Sequence, residues 1–182
     1  MKKLVALVSL GLLAGVAMGQ SNLDQIYLGV SAGLYFPTGS TVRNAFGDSI
    51  FTIGLTPVIP GLPKTGALTP SIELIGADKD GSNFLLVPLT LGYQYNFVSD
   101  LQKNTVVPYG RLEAGLAYYN FSVHTPGGTD SGSEVGYVGA AELGLQVSKT
   151  ITISAKYYLF QQERGLNFNG LQLDLTFGVF QL

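Results

Sequence analysis

Six charged residues stand at strand-like positions among apolar neighbours: Glu73, Arg111, Glu113, Glu142, Lys156 and Asp174. Residues of these types could brace one another as buried ion pairs, or line a path for a small solute or a proton. A second grouping suggests acyl chemistry. Ser122 and His124, the only histidine in the chain, precede Glu134, and a serine activated by a histidine and oriented by an acid is the nucleophilic constellation of lipases, acyltransferases and deacylases. Residues at i and i+2 of a strand are neighbours by default, however, and no nucleophile elbow accompanies them. A hydrophilic strand end accounts for both residues. With no cysteine, a single histidine and no glycine loop to cradle phosphate, metal and nucleotide chemistry lack their ligands. Asp78-Lys-Asp-Gly-Ser82 resembles a fragment of a calcium loop but lacks the distal glutamate, so it reads as a polar hairpin turn. The expectation is therefore no enzyme, with no catalytic residue, metal or cofactor. The six charges are read as a polar network of an enclosed lumen, structural or a solute path.

The elements that must position them are visible at the end of the chain. Leu171, Leu173, Leu175, Phe177 and Val179 alternate with Gln172, Asp174, Thr176 and Gly178, a period of two that gives a strand two unlike faces. The composition is 46% hydrophobic and 12% charged, where an ordinary soluble domain carries about 25% charged residues. Yet beyond the first residues no apolar run approaches the roughly 20 residues a membrane helix needs. Alternating strands reconcile the two facts. The start, Lys2-Lys3 followed by an apolar stretch to Met18 and small residues Ala17 and Gly19, reads as a secretory signal peptide, residues 1–19, cleaved after Gly19. Residues 20–182 then form one domain. Its eight basic and twelve acidic residues, a net charge of about −4, leave no basic patch for nucleic acid.

Period two and turn residues place strands at roughly 25–36, 49–56, 68–77, 83–97, 106–123, 134–147, 150–161 and 169–181. Breaker-rich connections separate them, including Pro57 to Gly66, Ser99 to Asn104, Thr125 to Gly132 and the tight Ser148-Lys149. Within each strand one parity is apolar, as in Leu112, Ala114 and Leu116. The other collects all six charges together with Gly29, Gly33, Gly54, Gly92, Gly115, Gly144 and Gly178. A one-residue slip would exchange these environments, so the division is a strong constraint. Charges within and oil outside describe an all-β, closed, antiparallel up-and-down transmembrane barrel, with inward glycines making room for larger lumen side chains. Aromatic residues fall near strand ends, and two girdles at the headgroup levels are expected.

The run Leu86-Val-Pro-Leu-Thr-Leu-Gly-Tyr-Gln-Tyr-Asn-Phe97, followed by Val107-Pro-Tyr-Gly110 and Glu113-Ala-Gly-Leu-Ala-Tyr-Tyr119, resembles the small outer-membrane β-barrel family related to the OmpA transmembrane domain and OmpW. The resemblance covers most of residues 25–182. It implies an eight-stranded barrel in the cell outer membrane, surrounded by outer-membrane lipid and inserted by the barrel-assembly machinery. The expected role is structural or adhesive, with an extracellular ligand met by the loops and a lumen too filled for a wide pore. Alternatives are a channel or transporter for small, hydrophobic solutes, which the OmpW likeness suggests, and a lipid-modifying enzyme. A soluble lipocalin-type barrel would require the reverse assignment of faces.

Overall fold

A computed structural model describes residues 26–59, 66–98, 106–125 and 127–181. The expected signal peptide and the Ser99–Asn104 connection lie outside the described residues, as does most of the Pro57–Gly66 connection. The alternating segments form eight strands: β1 (Tyr27–Pro37), β2 (Ile50–Val58), β3 (Ala67–Lys79), β4 (Ser82–Asn96), β5 (Val107–Thr125), β6 (Gly128–Gln146), β7 (Ile151–Phe160) and β8 (Gly170–Gln181). One short helix, α1 (Ser40–Phe46), follows β1. Each strand pairs antiparallel with the next, and β8 returns to β1 from Tyr27↔Gln181 to Pro37↔Gly170, closing the barrel. The β2–β3 seam is the shortest, with ladder pairs only from Thr52↔Ile75 to Leu55↔Ile72.

Closure follows from the solvent each face meets. Leu112, Leu143 and Ile153 are 69%, 66% and 51% exposed, while the neighbouring Arg111, Glu142 and Lys156 on the opposite parity are buried. A sheet with an apolar outside and charges within is stable only in hydrocarbon, where every backbone N–H and C=O must pair inside the protein. The chain is therefore a membrane-spanning barrel. The start of β1 and the end of β8 lie at one end, here the terminal end; α1 and the β3–β4, β5–β6 and β7–β8 connections lie at the other, the distal end.

Three expectations change. Thr125 to Gly132, read as a loop, is mostly strand: β5 and β6 run on in unbroken register to Thr125↔Gly128. Its Gly, Ser, Thr and Asp residues have weak strand propensity, but pairing across a tight hairpin overrides it. Helix α1 was not anticipated; it is seven residues long, too short for a periodic signature, and buries only Val42 and Phe46, one turn apart. The distal aromatic girdle is also revised. Tyr35, Phe84, Tyr119, Phe121, Tyr158 and Phe160 turn inward and are buried because they fall on the inward parity of their strands, and Phe168, in the β7–β8 connection, is buried among them. At the terminal end Tyr109 likewise points inward. Outward rings remain at both ends, Phe51, Tyr137 and Tyr157 distally and Tyr93, Tyr95, Phe97, Phe177 and Phe180 toward the termini.

A charge on the outward face should be costly in proportion to its depth. Leu112→Arg is expected to destabilise the barrel by about 2–4 kcal/mol in lipid vesicles, read as a lowered urea midpoint. An outward substitution beyond the apolar band, Asn120→Arg, should leave that midpoint nearly unchanged.

Candidate functional site: a charged and plugged lumen

The ladder register brings the inward charges of adjacent strands face to face. Arg111 on β5 lies opposite Glu142 on β6, and Glu142 lies opposite Lys156 on β7. Lys156 in turn opposes Gln172 on β8. Glycines clear the space these side chains need: a Cβ at Gly144 would overlap the Tyr109 ring, and one at Gly33 would overlap the Asp174 carboxylate.

Arg111 pairs with Glu142 through Nε at 3.1 Å and through Nη2, and with Glu113 through Nε at 3.0 Å. Its Nη1 donates to Thr56 Oγ1 at 3.0 Å. Lys156 Nζ sits at the centre of three carboxylates, 2.5 Å from Glu73, 3.2 Å from Glu113 and 3.4 Å from Glu142. Neutral donors complete the shell. Tyr109 donates to Glu142 at 2.5 Å, while Thr90 and Ser71 donate to Glu113 at 2.5 and 3.1 Å. Gln172 Nε2 bridges Glu73 and Asp174, the latter at 2.7 Å. All six predicted residues are therefore buried in one lumen. Five form a continuous ion-pair network; Asp174 joins it through Gln172 and, among the described residues, contacts no cation.

Burying an ion costs several kcal/mol, and opposite charges repay this only with good geometry and further hydrogen bonds. Arg111 contacts two carboxylates and Lys156 three, and each of the three acids involved also accepts from a neutral donor. Sequence reasoning found the charges because the apolar parity tolerates none. It did not single out Tyr109, Gln172, Ser71 or Thr90, although the same inward parity marks them.

Toward the distal end the interior changes from ionic to aromatic. Phe46 of α1 packs edge-on against Phe84 with centroids 4.7 Å apart, and Phe168 lies 5.6–5.9 Å from the rings of Phe84, Tyr119 and Phe121. Tyr35 donates to the Phe168 carbonyl, and Thr38 N donates to Asn169 O at 2.8 Å, fixing the β7–β8 connection over the mouth. A cavity of about 20 Å³ remains below, lined by Ser31, Gln94, Glu73, Arg111, Asp174 and Thr176 among others. That is room for about a single water molecule. Among the described residues, packed side chains fill the lumen and brace the wall.

The Ser122, His124 and Glu134 grouping is divided by the wall. Ser122 opposes Ser131 and His124 opposes Thr129, on the outer face of the hairpin. Glu134 opposes the buried Tyr119, on the inner face, and accepts from Arg164 Nε at 3.0 Å. This bond lies beyond the apolar band and holds the Glu134 carboxyl below the usual carboxylate range. Burial and the neighbouring Glu134 push the Glu163 carboxyl up. Among the described residues no cluster of three or more His, Cys, Asp or Glu is arranged to hold a metal.

No protein-family model matches this sequence, and no curated protein matches it. Solved structures share its fold. Neisserial surface protein A superposes with a TM-score of 0.58 at 13% identity, covering 85% of this chain and 97% of that one. Ail, the attachment invasion locus protein of Yersinia pestis, gives 0.53 at 16% identity, covering 84% and 95%. Both are small eight-stranded outer-membrane barrels, and this chain has that fold.

Lys156 is the member of the network whose loss strands the most charge. Lys156→Met is expected to cost about 3–5 kcal/mol, because three buried acids lose a shared counter-ion. Adding Glu73→Gln to it should recover part of that loss, read in both cases as the urea midpoint of the barrel in vesicles.

Proposed function

We propose that this protein is an outer-membrane barrel that works as a rigid anchor for a surface contact arm, the β5–β6 hairpin. One observation carries the reading. On the outer face of β5 the residues change from Leu112, Ala114, Leu116 and Tyr118 to Asn120, Ser122 and His124; on β6 they change at the same level, from Val135 to Ser133, Ser131 and Thr129. Above Tyr118 and Val135 the outer faces of both strands suit water, while Tyr119, Phe121 and Val123 stay buried on the inner face. With about 3.4 Å per residue, the paired segment beyond this level runs on for roughly 20 Å along the strands, which their tilt turns into a projection of about 15 Å from the apolar band. Placing the termini in the periplasm turns this arm toward the outside of the cell. That orientation agrees with export through a signal peptide cleaved after Gly19 and with insertion by the barrel-assembly machinery.

A filled interior suits an anchor. The aromatic plug and the ion-pair network stiffen the wall from within, so that a load on the arm meets a body that does not flatten. The same plug opposes the channel reading, because a solute would have to displace α1 and the Phe168 region together.

In planar bilayers the purified protein is expected to give no sustained conductance steps; regular steps would instead support the channel. Replacing residues 120–133 by a two-residue turn should leave a barrel that still shows heat-modifiable gel mobility. Cells displaying it should lose the surface adhesion conferred by the full chain. Unchanged adhesion would refute the contact-arm reading.

A further inference from the structure

The two edges of the projecting hairpin are treated differently. On the β5 side, β4 keeps pace to Asn83↔Ser122, and His124 N–H donates to Ser82 Oγ at 3.0 Å. On the β6 side, β7 stops pairing at Val138↔Phe160. Thr129 to Val135 thus run past the end of β7, and on that side, among the described residues, they meet only residues of the β7–β8 connection, with Gln161 at Tyr137, Glu163 against Gly136 and Arg164 at Ser131.

In an antiparallel strand the N–H and C=O of alternate residues point to the same side. Tyr137 fixes which ones: its carbonyl accepts from Gln161 N at 2.9 Å, and its N–H donates to Gln161 Oε1 at 3.1 Å, both away from β5. By the same alternation Thr129, Ser131, Ser133 and Val135 aim their backbone groups at the open side. Ser131 confirms it, since its carbonyl accepts from Arg164 Nη1 at 2.7 Å. A row of outward N–H and C=O groups is a template for another strand.

We infer that this edge of β6 binds an extended peptide carrying basic side chains, which adds to the hairpin as a further strand. The inference rests on the contact-arm reading and specifies its mode. Charge decides the occupant. The inner-face row of the edge is Asp130, Gly132 and Glu134, with Glu163 beside it, and Arg164 is the only cation on it among the described residues. Arg164 already does in miniature what the peptide would do: one guanidinium nitrogen donates to the Ser131 carbonyl, as an incoming strand's N–H would, and another meets Glu134, as a basic side chain would. Gly132 lies between the Phe121 ring and this guanidinium: a Cβ there would sit 3.0 Å from the ring and 3.3 Å from Arg164 Nε.

A second copy of the chain fits poorly. Two copies in one membrane would run their β6 strands parallel and nearly in step, setting Asp130 against Asp130 and Glu134 against Glu134. Copies in apposed membranes, paired antiparallel about Gly132, would set Asp130 against Glu134 twice. Like charges directly opposed destabilise a strand pair.

The test uses the full barrel in neutral phosphatidylcholine nanodiscs and a nine-residue peptide alternating lysine and threonine, with an alternating glutamate–threonine peptide as comparison. The lysine peptide should slow amide exchange at Ser133 and Val135 at least about tenfold, the scale on which a bound strand buries them. Ser133→Pro removes one edge donor without touching the β5 ladder, and should cost at least about tenfold in affinity. Arg164→Ala, which vacates the edge, should tighten binding by about threefold, and Asp130→Asn should weaken it. Equal binding of the glutamate peptide, binding that survives Ser133→Pro, or exchange protection that rises with protein concentration and no peptide would each overturn strand addition. The outcomes separate from those of the parent reading. If the lysine peptide fails while loss of residues 120–133 still abolishes adhesion, the arm stands and this mode of use falls; if that loss changes nothing, both fall.

Discussion

A strand in hydrocarbon has no water to satisfy its backbone, so each N–H and C=O must find another strand, and the sheet must end where it began. The rest of the molecule follows from that demand. Once the ladder closes from β8 to β1, the outer face belongs to lipid and accepts leucine, valine and isoleucine, while the inner face becomes the only place within the membrane for polar chemistry. An eight-stranded cylinder is narrow. Whatever enters its interior must be packed and paired, and the glycines facing Tyr109 and Asp174 show how little space is spare.

The interior is divided along its axis by two solutions to the same packing problem. Near the termini the lumen is filled by ions, with Lys156 and Arg111 sharing carboxylates drawn from β3, β5 and β6. Toward the distal end it is filled by rings, with α1 and the β7–β8 connection contributing Phe46 and Phe168 to a cluster built on strand residues. Ionic packing fixes positions through directional bonds; aromatic packing excludes water. Together they fill the described interior from one end to the other with side chains that hold one another in place.

Much of this was legible in the sequence, for a specific reason. Charge is so costly against lipid that Glu73, Arg111, Glu113, Glu142, Lys156 and Asp174 could share only the inward parity, and their confinement set the face of almost every other residue. Short hairpins such as Ser148-Lys149 brought adjacent strands into register. Partners were less legible. Which acid a given cation meets depends on the relative height of strands across the lumen, and period two carries no such information. The aromatic residues were read by their distance from a strand end when parity would have placed them: Tyr119 and Phe121 share the face of Arg111, not of Leu112. The hairpin extension was hidden by composition, since Gly, Ser and Asp spell loop unless a partner strand holds them.

The β2–β3 seam has four ladder pairs, Thr52↔Ile75 to Leu55↔Ile72, whereas β5 and β6 stay paired over the whole of both strands. A cask is weakest at its least-fastened stave. Glu73 sits on β3 within that span and reaches across the interior to Lys156 on β7, strands four places apart around the ring. Their contact works as a tie-rod: it anchors the thinly stitched side to the opposite wall, so the place most prone to part is restrained from the far side of the cylinder.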